Sequence, residues 1–66
     1  MITMHCDVDW AENEDDVAYQ EYLLLSRGAK ILDTEIEMKD KEVVSATITI
    51  EVFEEDKQKF LDYGCY

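Results

Sequence analysis

Sixty-six residues with a hydrophobic fraction of 47% read as one folded domain, 1–66, with a thin core, since so short a chain buries only about 60% of its unfolded surface. Seventeen acids against six bases leave a net charge of −11, which excludes direct binding to nucleic acid or an anionic membrane, both of which repel it. No apolar run approaches the roughly 18 residues of a membrane span, and the short acidic N-terminus does not read as a signal peptide, so the expectation is a soluble, cytoplasmic protein.

Ile2 to Trp10 alternates: Ile2, Met4, Cys6, Val8 and Trp10 form an apolar row, and Thr3, His5, Asp7 and Asp9 a polar one. This is the pattern of a half-buried strand, with Trp10 expected to seal the core. A helix follows. Asn13 suits the N-cap, and Glu14, Asp15 and Asp16 fill a first turn where carboxylates favour the positive end of the helix dipole. Arg27 falls in the last turn and Gly28 at the position just past it. Ala18, Tyr22 and Leu25 are read as the core stripe, with Val17 and Leu24 beside it. Tyr19 and Leu23 widen the apolar arc beyond what one thin sheet covers, and this flank suits a homodimer or partner contact.

Lys30 to Lys39 returns to period two, with Leu32, Thr34, Ile36 and Met38 on one side and Asp33, Glu35 and Glu37 on the other. Asp40 and Lys41 mark a tight turn into Val43–Phe53, the longest run of strand-forming residues in the chain, so a hairpin is expected. Its dry row is Val44, Ala46, Ile48, Ile50 and Val52; its wet row is Ser45, Thr47, Thr49 and Glu51. Glu54 to Asp56 open a second, short helix that Phe60 and Leu61 would dock and Gly64 would end, leaving Cys65 and Tyr66 to fray or add an edge contact.

The order β-α-β-β-α predicts a small α+β sandwich of truncated ferredoxin-like type. Its three-stranded antiparallel sheet has order 1-3-2, with both helices on one face. The other face would then carry acids on both edge strands (Asp7 and Asp9; Asp33, Glu35 and Glu37) flanking a hydroxyl strip. The cluster Glu12, Glu14, Asp15 and Asp16 would lie nearby. Carboxylates at i, i+2, i+4 of a strand stand about 6.6 Å apart, so two such rows resemble paired lines of phosphates.

Little else carries chemistry. Cys6 and Cys65 are too few for a disulfide scaffold and show no zinc spacing. Cys6 is expected to be a buried free thiol, and a bridge joining the two would close a long loop. Asp7, Asp9 and Glu12 begin like a calcium loop but lack its Gly and its terminal Glu, so no metal and no cofactor is assigned. His5 stands alone, without a paired nucleophile or a phosphate loop, and no enzymatic activity is assigned.

By size, charge and lack of catalytic apparatus, the chain looks like the small acidic proteins that phages and mobile elements use against host nucleic-acid enzymes. Those include anti-CRISPR proteins and inhibitors of restriction or DNA repair. The resemblance implies a DNA-mimicking inhibitor acting in the host cytoplasm, whose partner is a basic nucleic-acid-binding protein met by Asp7, Asp9, Glu12, Glu14, Asp15, Asp16, Asp33, Glu35 and Glu37. The alternative is a non-catalytic interaction module, antitoxin-like or adaptor-like, that binds through Tyr19 and Leu23 while the charge serves solubility.

Overall fold

A computed structural model describes all 66 residues. Strand β1 spans Ile2–Asp7, helix α1 Glu14–Ser26, strand β2 Lys30–Lys39 and strand β3 Glu42–Val52. A short 3-10 turn over Glu54–Asp56 leads into helix α2, Lys57–Asp62. The sheet has the expected order β1-β3-β2, antiparallel throughout. Both helices pack on one face of it, where Met4, Cys6, Ala46, Ile48, Ile50 and Val52 meet Val17, Leu24 and Phe60 in a single core.

Local chemistry fixes the element ends. Asn13 accepts a hydrogen bond from the Asp16 amide (3.1 Å), and the Asp16 carboxylate in turn accepts one from the Glu12 amide (2.9 Å), so the helix start is locked from both sides. The two glycines serve one purpose. Gly28 (φ +94°) and Gly64 (φ +96°) each follow a helix in the left-handed conformation. At α1, the Gly28 amide bonds Leu25 O and the Ala29 amide bonds Leu24 O; at α2, Gly64 bonds Leu61 O and Cys65 bonds Phe60 O. These paired bonds close each helix and turn the next residue inward, so Ala29 and Cys65 are both buried. Between the strands, Asp40 and Lys41 both take positive φ (52° and 69°), the turn whose twist matches a two-residue hairpin.

Cys6 and Cys65 are joined in a disulfide, and no cysteine is free. The expected free thiol is corrected by the cap just described. The Gly64 turn drops Cys65 against β1, opposite Cys6.

Four packing expectations are also corrected. Trp10 is 52% exposed because β1 ends at Asp7. Val8 still bonds Ala46 O (2.9 Å), but the chain then turns and Ala11 takes the buried place. In α1 the buried stripe is Val17, Gln20 and Leu24, while Ala18, Tyr22 and Leu25 face outward. Apolar residues occupy most of this helix's circumference, so the face it buries is set by how its ends attach to the sheet. In the hairpin, register shifts between Ile31 and Asp33 and between Glu37 and Met38 leave Leu32 and Val44 as the extra residues of two bulges. Ile31, not Leu32, therefore packs on the core, and Val43 replaces a Val44 that is 60% exposed. Finally, Leu61 is exposed, and α2 is anchored by buried Phe60 with Tyr63 at its end packed against the core.

Candidate functional site

The open face of the sheet is built from the register. In an antiparallel pair, residues directly opposite share a face. Thr49 lies opposite His5 and Asp33, and Thr47 opposite Asp7 and Glu35. Ser45 lies opposite Glu37, and Glu51 opposite Thr3 and Lys30. The hydroxyl strip thus runs down the centre, with an acidic row on β2 and the single carboxylate of Asp7 on β1. The hydroxyls do not point idly outward. Thr47 Oγ1 donates to Asp7 Oδ1 (3.2 Å), Ser45 Oγ to Glu37 Oε2 (3.4 Å), and Thr49 Oγ1 pairs with His5 Nδ1 (3.2 Å). Each bond holds a rim side chain toward the strip, between outer strands that the sheet sets roughly 9.6 Å apart.

Of the residues picked from sequence, the register brings Asp7, Asp33, Glu35 and Glu37 together on this face. Asp9 leaves the row, because β1 ends before it. The Glu12–Asp16 cluster belongs to the helix layer instead. Its attachment is the Val43 amide bonded to Glu12 O (3.1 Å), which places it beside the hairpin turn, where Ala11, Glu12, Asn13, Lys41, Glu42 and Val43 line a shallow groove. Asp16 is engaged in starting the helix, whereas Glu14 and Asp15 are exposed on the first turn. Tyr19 is exposed and Leu23 half-buried on α1, where Tyr19 stands with Tyr22 and Leu25 rather than on the acidic face.

One member of the face was not anticipated as such. Tyr66 pairs with the outer edge of β1, exchanging backbone hydrogen bonds with His5 (2.6 and 2.8 Å). Its ring lies 5.8 Å from that of His5, and its hydroxyl donates to Asp7 Oδ1 (3.3 Å). The Asp7 carboxylate, with Asp9 the smallest contributor, raises the Tyr66 pKa above its ordinary 10.0, because a phenolate would form beside existing negative charge. The sequence signal for this role was slight: an aromatic residue directly after a cysteine that the disulfide fixes in place.

Two of the six bases are held away from this face. Arg27 donates to Leu23 O (3.2 Å) and lies 4.2 Å over the Tyr63 ring; Lys59 donates to Arg27 O (3.0 Å). These two cations sit at the C-terminal end of α1, where its dipole favours them, whereas Lys30 stands on the open face opposite Glu51. No group of three or more potential ligand side chains converges on a metal position, and no helix is long and apolar enough to cross a membrane. No family model matches the chain, and comparisons with curated proteins and with solved structures found no match.

Proposed function

We propose that this protein is a small acidic inhibitor, of the phage or mobile-element type, that occupies the basic groove of a nucleic-acid-binding enzyme by presenting carboxylates in place of phosphates. The observation that supports the reading is the register, which aligns Asp33, Glu35 and Glu37 on one side of the hydroxyl strip and Asp7 on the other. At about 6.6 Å along a strand, the β2 row supplies one charge for roughly every two phosphates of a nucleic-acid strand, whose charges recur every ~3.4 Å of axis. Asp and Glu would pair with Arg and Lys of the target and steer it in quickly at low salt. The enzymes so blocked work in the cytoplasm, where structural disulfides are uncommon. A cytoplasmic site of action therefore requires the Cys6–Cys65 bridge to survive there, and both half-cystines are buried, at 2% and 4% exposure, away from an attacking thiolate.

A second reading is favoured by α1, which leaves Tyr19, Tyr22 and Leu25 exposed at three-residue spacing. Such a stripe suits an apolar partner groove in an interaction module. Titrating candidate nucleic-acid enzymes with the protein across a salt series separates the two. Mimicry requires affinity to collapse as salt rises, DNA to compete, and Glu35→Lys with Glu37→Lys to abolish binding. Binding that ignores salt and disappears on Tyr19→Ala would put the contact on the helix.

A further inference from the structure

The sheet has two outer edges, and the chain closes only one. Along β1, Tyr66 takes up the backbone groups of His5 and the disulfide pins the segment down. Along β2, no backbone hydrogen bond other than those to β3 reaches any residue from Lys30 to Lys39. No side-chain donor or acceptor reaches its backbone either; α1 touches it by hydrogen bonding only through Thr34 Oγ1, which donates to Glu21 (3.0 Å). A ten-residue strand thus offers a row of unused N–H and C=O groups.

Its side chains state what would pair with it. On the open face the strand presents Asp33, Glu35 and Glu37; on the helix-side face, beyond Thr34, it presents Ile36 and Met38, 39% and 40% exposed despite pointing the way the core does. We infer that β2 is a strand-addition site for an extended segment of a partner protein that alternates basic with apolar residues. Lys or Arg would stand opposite the carboxylate row, and Val, Ile or Leu would cover Ile36 and Met38, while the backbone supplies affinity that the sequence of the segment does not change. A second copy of this chain is the poorer occupant. The antiparallel register that overlays the acidic row fully on itself sets Glu35 against Glu35 and Asp33 against Glu37, and each copy already carries −11.

This inference deepens the preceding one by giving the basic partner a shape, and it rests on that reading only for the partner being basic. The two fail separately. Loss of competition by DNA removes mimicry and leaves strand addition intact.

The test uses the full, oxidised chain and a synthetic peptide that alternates Lys with Val, alongside the same peptide N-methylated at every second residue on its pairing edge. Strand addition requires the plain peptide to bind, the β2 amides to gain protection from hydrogen exchange, and the methylated peptide to lose binding altogether. Glu35→Lys with Glu37→Lys, checked for folding by circular dichroism, should weaken the plain peptide about tenfold or more. Equal binding of both peptides would overturn the inference, since the contact would then be side-chain charge on the face. So would absence of binding, or protection of β2 that depends on protein concentration without peptide, which would assign the edge to a second copy.

Discussion

The two edges of this sheet solve one problem in opposite ways. An exposed edge strand invites pairing with any extended chain. At β1 the molecule covers its own edge: the turn at Gly64 delivers Cys65 to Cys6, and Tyr66 bonds His5 through both backbone groups. At β2 the edge stays open but carries three carboxylates on one face and a bulge at Leu32. The first device is covalent and occupies the edge at His5 whatever the charge of a partner. The second is electrostatic and excludes only partners of the same sign, which is why the open edge can discriminate where the closed one cannot.

The comparison breaks first at the disulfide. With its cysteines 59 positions apart, the bridge removes chain entropy from the unfolded state worth about 4 kcal/mol. A domain of this size has a total stability of only about 3–10 kcal/mol. Reduction, or Cys65→Ser, should therefore take a large share of the stability, seen as a large fall in the urea midpoint. In the reduced protein the His5 amide should exchange faster than the β2–β3 amides, because its partner is Tyr66. If the midpoint stays put on reduction, the closed edge is held by Phe60 packing and the His5–Tyr66 pair alone.

A smaller change sharpens the other side. Asp40 and Lys41 both occupy left-handed backbone, where a residue with a Cβ costs roughly 1–2 kcal/mol. Asp tolerates that conformation better than Lys does. Replacing the pair by Asn-Gly should raise stability by about 1 kcal/mol in thermal or urea unfolding. The extra protection should appear on β2 and β3, while binding of the basic-apolar peptide is unaltered because the edge itself is untouched. A loss of stability would mean that the Lys41 side chain, which lines the groove beside Glu12, makes a contact worth more than the backbone relief.

Much of this architecture is legible in the sequence, and each departure from it has its own physical cause. The element order, the sheet order and the acidic row of β2 all follow from strict alternation between Asp33 and Glu37 and between Ala46 and Val52, where no bulge intervenes. Alternation fails where one residue is inserted: the pattern puts Leu32 and Val44 in the dry row, and both sit at bulges. Trp10 was misplaced because period two was carried past the true end of β1 at Asp7. In α1 the apolar residues from Val17 to Leu25 permit several stripes, and only tertiary attachment chooses Val17, Gln20 and Leu24. The disulfide was the largest miss. Two cysteines 59 residues apart give no local pattern; what joins them is the turn after α2 and the position of α2 over the core.

The smallest expected effect tests whether the closed edge holds in solution as drawn. Tyr66 donates to Asp7, and its pKa is raised above 10.0 chiefly by that carboxylate. A raised folded-state value means that the neutral phenol is the form the fold favours. Its contribution is fully present below pH ~10, the unfolded value, and is lost as pH climbs through the higher folded value. Because Tyr66 is largely exposed, solvent and salt screen most of the effect. Difference absorbance between the protein and Tyr66→Phe isolates this one hydroxyl from those of Tyr19, Tyr22 and Tyr63. Its midpoint should lie above 10 and move back toward 10 in Asp7→Asn, where no anion opposes the phenolate. A Tyr66 midpoint unmoved by Asp7→Asn would detach the terminal ring from β1, and the closed edge would then rest on the disulfide and the single backbone pair at His5.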